Sequence, residues 1–224
     1  MSVLSSLLYI LSNINVIFYL LAFFIGGIPF GWLLLKIFYK TDIRQSGSGS
    51  IGATNVYRAL KERDEKKAKI FSILTIVLDA TKGLIVVAIA KMLGLSYETQ
   101  WTIALLAILG HCYSPFLGFK GGKGVATAIG SVLLLIPLEG ICGLIIWGVV
   151  GKVFKISSIS SLVGVLSGII LTFVLPYVLP LPDSISITAQ IHTHTPVVLI
   201  GLLILYTHIP NIRRLFSGQE SKVL

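Results

Sequence analysis

Charge is what this sequence has least of. Asp, Glu, Lys and Arg make up 12% of its 224 residues, about half the share found in an ordinary soluble domain. With a mean hydropathy of +0.93, that scarcity excludes a water-soluble globule, because the apolar runs are too long and too many for soluble packing. No Lys or Arg occurs before Lys36. The N-terminal apolar stretch therefore lacks the basic start of a cleaved leader and reads as a retained span. Cysteine is nearly absent too: Cys112 and Cys142 lie in apolar surroundings, with no CxxC and no histidine at metal spacing. They read as inert buried thiols. Acids are few, 9 against 18 Lys plus Arg, for a net charge of +9. No separate basic domain presents that excess to nucleic acid, so it points instead to anionic lipid and anionic substrates.

What is present is a succession of apolar segments, which predicts an all-α integral membrane protein forming a single polytopic domain over 1–224. Seven spans are expected near 15–38, 70–93, 101–117, 125–138, 140–154, 159–179 and 197–208. Residues 3–13 would be an interfacial lead-in or the outer extension of the first span. Gly26, Gly27, Pro29 and Gly31 allow that span a kink and close helix contact. The fourth and fifth segments fall short of the ~20 residues a straight span prefers, and fit tilted spans or a re-entrant hairpin. Basic residues crowd alternate connections: Lys36 to Lys69 around the first, Lys120 and Lys123 in the third, Lys152 and Lys155 in the fifth, and Arg213, Arg214 and Lys222 in the tail. The 180–196 loop has none. The positive-inside rule then puts the N-terminus outside and the C-terminus in the cytoplasm.

With that orientation, the polar and glycine-rich motifs share the cytoplasmic side. The first is Ser46-Gly-Ser48-Gly49-Ser50-Ile-Gly52-Ala-Thr54-Asn55-Val-Tyr-Arg58. Its glycines can turn backbone N–H groups inward around an anion, and Arg58 can add a bidentate fork. The same composition also suits a plain linker between two helices. The second runs from Gly110 to Thr127 around Lys120-Gly121-Gly122-Lys123-Gly124 and precedes an apolar helix, so N–H groups, a helix N-terminus and ammonium groups converge. The third is Lys155-Ile-Ser157-Ser158-Ile-Ser160-Ser161, and the fourth is His208-Ile-Pro-Asn211-Ile-Arg213-Arg214. Asp79 and Lys82 lie deep in the second span at i, i+3. There they can pair to orient helices or serve chemistry. The run Lys61–Lys67 reads as a solvated helix end.

Several motif matches fail on context. Gly47-x-Gly49-x-x-Gly52 has the spacing of the dinucleotide fingerprint, which requires a preceding strand where this chain has a membrane helix. Lys123 is followed by Gly124, not by the Ser or Thr of a phosphate-binding P-loop. His192 and His194 have no carboxylate or cysteine close by in sequence, so no metal site is expected. The His-x4-Asp signature of soluble-type glycerolipid acyltransferases and the repeated aspartates of CDP-alcohol transferases are both missing.

Taken together, Ser46–Arg58, Asp79-x-x-Lys82-Gly83, Gly110–Thr127, Lys155–Ser161 and His208-x-x-Asn211 resemble the PlsY family, the bacterial membrane acyl-phosphate:glycerol-3-phosphate acyltransferases. The resemblance covers nearly the whole chain in matching order. It implies an enzyme of the bacterial inner (plasma) membrane, with its active site facing the cytoplasm and no cofactor. That enzyme would move a fatty acyl group from acyl phosphate to the 1-hydroxyl of glycerol 3-phosphate, the first acylation of phospholipid synthesis. It would also be coupled functionally to an enzyme that makes acyl phosphate. Ser50 stands where the family usually has Asn, and Lys155 where it usually has Arg, so that anchor is a point charge rather than a fork. On this reading Ser48, Gly49, Gly52, Thr54 and Asn55 hold the acyl phosphate head. Arg58, Lys123, His208, Asn211 and Ser158 or Ser161 hold glycerol 3-phosphate, and Lys120, Gly121 and Gly122 complete the anion cradle. Ser48, Arg58, Lys123, His208 and Asn211 are the candidate catalytic residues. A substrate phosphate oxygen takes the hydroxyl proton, and His208 reads as a donor to phosphate with the base role as its rival. The reading from another class is a transporter for a phosphorylated or lipidic anion. It leaves the crowding of the motifs on one face unexplained.

Overall fold

The computed structural model describes residues 12–223, and every regular element among them is helical. Residues 3–11 of the expected lead-in lie outside the described residues. The first apolar run forms α1 (Ile14–Gly27) and α2 (Phe30–Tyr39), bent by 42° at the break between them. Pro29 causes the break: it lacks an N–H and disfavours the helical conformation in Ile28. The polar loop that follows leads into the short α3 (Ala53–Leu60). Asp64, which accepts the Lys67 N–H at 2.9 Å, caps α4 (Glu65–Met92), whose 28 residues span about 42 Å. Next come α5 (Tyr97–Cys112) and α6 (Val125–Val132). A helical hairpin of α7 (Pro137–Phe154) and α8 (Ser157–Val178) follows. The chain ends through α9 (Ile187–Ile191), α10 (Thr195–Thr207) and α11 (Ile209–Phe216), the last bent by 56° from α10.

Among the described residues three helices are long and apolar enough to cross a membrane, or five if each bent pair counts as one span. The expected fourth span, 125–138, needs correction as a helix. Only Val125–Val132 is α-helical; those eight residues rise about 12 Å, well under the ~30 Å hydrocarbon thickness. The chain then turns and Pro137 starts α7 afresh, as proline favours in a first helical turn. The expected 101–117 segment also shifts: its helix starts at Tyr97 and stops at Cys112, ahead of the Pro115 turn.

Close helix contacts fix the positions of the polar loops. On α1, a Cβ at Gly26 would run into the Ala107 backbone of α5, and one at Gly110 into the Phe23 carbonyl. The core between these helices holds Ala22, Trp101, Ile103, Ala104 and Ile108, joined by Leu135, Ile187 and Ile204. Trp101 donates its indole N–H to Gln190 Oε1 at 2.8 Å, and Gln190 donates to the Leu135 carbonyl at 2.8 Å. The 180–196 connection is thereby pinned onto the core. Outward-facing Ile73, Ile145 and Leu202 are exposed, as a surface solvated by lipid requires. One buried group has no structural account in this packing. Glu139, in the first turn of α7, is 1% exposed and neither carboxylate oxygen has a hydrogen-bond partner. Such an orphaned polar group costs about 1–3 kcal/mol.

Candidate active site

The Ser46–Arg58 loop is built around one side chain. Asn55 is 1% exposed. Its amide donates to the Ser46, Ser50 and Ile43 carbonyls at 2.9, 2.8 and 3.2 Å, and its Oδ1 accepts the Ser48 N–H at 3.0 Å. Gly47 adopts φ +55°, and a Cβ there would collide with Asn55 Oδ1. Asn55 therefore spends its polar atoms organising the loop, which corrects the expectation that it holds substrate directly. Gly49 is exposed and off the cavity lining, and its N–H donates to the Ser46 carbonyl at 3.0 Å. The loop is tied to distant segments as well: Thr54 Oγ1 lies 2.9 Å from Ser157 Oγ, and Ser72 donates to the Ala53 carbonyl at 3.0 Å.

A cavity of about 210 Å³ opens beside this loop. Ser48, Gly52, Thr54, Asn55 and Arg58 line one side; Lys123, Ser158, Ser161, His208 and Asn211 come to it from three other segments, and Asp79 also reaches it. Trp147 and Gly143 of α7 and Val165 of α8 give it an apolar side. Two cations on its wall are largely uncommitted. The Nε of Arg58 is buried without a partner, and its Nη2 makes only a 3.4 Å contact to the Ser221 carbonyl. Among the described residues Lys123 has no hydrogen bond or ion pair through Nζ, while its carbonyl accepts from Thr207 at 3.1 Å. Burial, with the Arg214 and Arg58 cations against the pull of Glu220, pushes Lys123 down to about 8. A cation held this way gains most from a dianionic ligand.

Glu220 is the site residue that sequence reasoning missed. Its side chain is 4% exposed and lines the cavity. It accepts from Ser158 Oγ at 3.0 Å, Asn211 Nδ2 at 2.6 Å and Arg214 Nε at 2.7 Å. Burial acts to raise its pKa, but these donors outweigh it and hold the carboxyl below its ordinary range. Ser158 and Asn211 are thus oriented by an internal carboxylate. Glu220→Ala should leave three donors without an acceptor and lower stability by on the order of 2–3 kcal/mol. The check is the thermal midpoint in detergent, and an unchanged midpoint would remove Glu220 from this role.

Of the remaining candidates, the structure places Lys82, Lys120, Gly121 and Gly122 outside the cavity lining. Lys82 Nζ pairs with Asp79 Oδ1 at 2.9 Å and donates to the Ile28 carbonyl at 2.8 Å. It also lies 2.9 Å from His111 Nδ1. This buried cluster joins α4, α5 and the α1–α2 break. Gly121 and Gly122 close on His111: the Gly122 N–H donates to the His111 carbonyl at 3.0 Å, and a Cβ on Gly122 would strike the imidazole. The glycine pair is a packing contact that presents Lys123, and not the N–H cradle expected of it. Lys120 is exposed, as is Lys155, whose carbonyl accepts the Val223 N–H at 2.8 Å.

His208 is 1% exposed, and its Nδ1 lies 2.8 Å from the Ile204 carbonyl. A carbonyl only accepts, so Nδ1 carries a proton and Nε2 of the neutral ring is an acceptor. That corrects the expected donor role, which would require the imidazolium form. Among the described residues no three His, Cys, Asp or Glu side chains gather where they could hold a metal ion.

Comparison with known proteins gives a consistent result. The glycerol-3-phosphate acyltransferase family profile matches residues 16–218. The glycerol-3-phosphate acyltransferase of Helicobacter hepaticus is 80% identical over 224 residues, covering 100% of both chains, and that of Wolinella succinogenes is 53% identical, covering 96% of this chain and 99% of the relative. Crystal structures of PlsY, an integral membrane glycerol 3-phosphate acyltransferase, superpose with TM-scores of 0.79 for the glycerol 3-phosphate form and 0.74 for the lysophosphatidic acid form. Sequence identity to them is 33% and 32%, and each covers 93% of this chain and 94% of the solved chain. The chain belongs to the glycerol-3-phosphate acyltransferase family.

Proposed function

We propose that this protein transfers an acyl group from acyl phosphate to the 1-hydroxyl of glycerol 3-phosphate, at the cytoplasmic face of its membrane helix bundle. The observation that carries the reading is the single cavity onto which Arg58, Lys123, His208, Asn211 and Ser158 all open, with apolar α7 and α8 residues on its other side. Two uncommitted cations suit the phosphate of glycerol 3-phosphate. The N-terminus of α3, with Gly52 and Thr54 on the lining, and Ser48 beside it suit the phosphate of the donor.

In the step we assign, the glycerol 1-oxygen forms a bond to the acyl carbon, and the bond from that carbon to the phosphate oxygen breaks. Phosphate departs with the electron pair and a phosphate oxygen takes the hydroxyl proton. The mixed anhydride is already activated, so positioning and charge stabilisation supply the rate without a covalent intermediate. His208 Nε2 accepts from the neighbouring 2-hydroxyl of glycerol 3-phosphate and so aims the 1-hydroxyl, whose own proton goes to phosphate. Purified protein given acyl phosphate and labelled glycerol 3-phosphate in detergent should form lysophosphatidic acid. No product in that closed-compartment-free assay would overturn the reading in favour of anion transport. Within it, Arg58→Ala should raise KM for glycerol 3-phosphate about tenfold or more with a smaller change in kcat. An unchanged KM would remove Arg58 from that pocket.

A further inference from the structure

The cavity does not end at its apolar side. A narrower slot continues from it, sharing Ile129, Gly143, Gly164 and Val165, and runs between α6, α7, α8 and α10 to Glu139 and Thr172. We propose that this slot receives the acyl chain and that Gly168 and Glu139 set the chain length it accepts, an inference that rests on the acyl-transfer reading above.

Glycines on facing helices are by themselves only a packing device, and two of these are that. A Cβ on Gly143 would lie 3.0 Å from the Gly164 carbonyl, and one on Gly164 would lie 2.9 Å from the Gly143 carbonyl. Gly168 differs. The nearest atom to a Cβ there is the Glu139 carbonyl oxygen at 3.6 Å, an ordinary contact, so helix packing does not require glycine at this position. Its missing side chain leaves the slot open. The independent observation is Glu139, which lines the slot at 1% exposure with both carboxylate oxygens unpartnered. Glu139 and Thr172 are the polar residues of this otherwise apolar lining, and a buried, unpartnered carboxyl group at that end makes it the floor of the passage. An apolar chain gains by filling the slot down to that floor and loses by pressing further against the carboxyl group.

Helix α8 provides the scale. From Ser158, at the polar cavity, to Thr172, on the slot's far lining, the rise is about 21 Å at 1.5 Å per residue. An extended hydrocarbon with C–C bonds of about 1.5 Å advances roughly 1.3 Å per carbon, so that length takes a chain of about sixteen carbons. Gly168 stands at about 15 Å on the same scale, or roughly twelve carbons.

The test uses the full chain in detergent with saturated acyl phosphates of about eight to eighteen carbons, reading lysophosphatidate formed. Gly168→Leu should raise the ratio of kcat/KM for the ten-carbon donor over the sixteen-carbon donor by about tenfold or more. Glu139→Ala should move the profile the other way, raising the eighteen- to sixteen-carbon ratio several-fold. A shift by either variant in its stated direction supports the slot; profiles of wild-type shape in both, whatever the overall loss, overturn it. If the wild-type chain turns over no donor of any length, the acyl-transfer reading itself fails, a result distinct from an active wild type with unshifted variants.

Discussion

Lys123→Met should reduce kcat/KM by ~10²–10³-fold, the equivalent of about 2.7–4 kcal/mol, the range for losing one preorganised electrostatic partner of the transition state. Methionine keeps the length and apolar stem of the side chain and removes only the cation, so Gly121 and Gly122 can still close on His111 and the loop should keep its place. Titration provides a second measurement. Lys123 is pushed down to about 8; it is cationic below that pH and loses its charge as pH rises through it. In wild-type protein kcat/KM for glycerol 3-phosphate should therefore fall above about pH 8. Lys123→Arg holds its charge far higher and should abolish that alkaline decline, even if the larger fork lowers the plateau. A decline that persists in Lys123→Arg would assign it to another group.

His208 gives the second large effect. With Nδ1–H committed to the Ile204 carbonyl at 2.8 Å, the other nitrogen of the neutral ring can accept from the substrate's 2-hydroxyl, and it would donate to phosphate only as the imidazolium. His208→Ala should lower kcat by about 10²-fold through loss of aim, with less change in KM. His208→Gln retains an amide oxygen that can accept and should recover much of that loss, because in the proposed step the proton goes to a phosphate oxygen. A glutamine variant as slow as the alanine variant, with the acidic limb of the pH–rate profile gone, would make His208 the base instead.

The membrane character and most of the motifs that meet at the cavity were legible in composition and spacing, because lipid demands long apolar helices and the polar residues left over are few. What the sequence hid was which polar atoms are already spent. Asn55 and Gly122 lie inside motifs that read as anion cradles, yet Asn55 serves the loop's own carbonyls and the Gly122 N–H serves His111. Nothing in local spacing separates a backbone turned toward a ligand from one turned toward a histidine eleven residues away. Glu220 was invisible for the opposite reason. In a tail beside Arg213 and Arg214 it looks like an ordinary solvated acid, and only its contacts to Ser158 and Asn211 show otherwise. The expected 125–138 span failed on length: an apolar run does not say where a turn ends the helix, and Leu133–Ile136 is as apolar as what flanks it.

The contacts Thr54–Ser157 and Ser158–Glu220 also bear on how the protein is made. Membrane helices enter the bilayer in chain order, and the first wall of this cavity is laid down with Ser48–Arg58. The opposing wall needs α8, and the polar clamp needs the segment carrying Asn211 and Glu220. A partly synthesised chain already in the membrane thus holds half a pocket, with Arg58 unopposed by Glu220. The full set of contacts around the cavity forms only when the last helices dock, so on the proposed function activity waits until the bundle is complete.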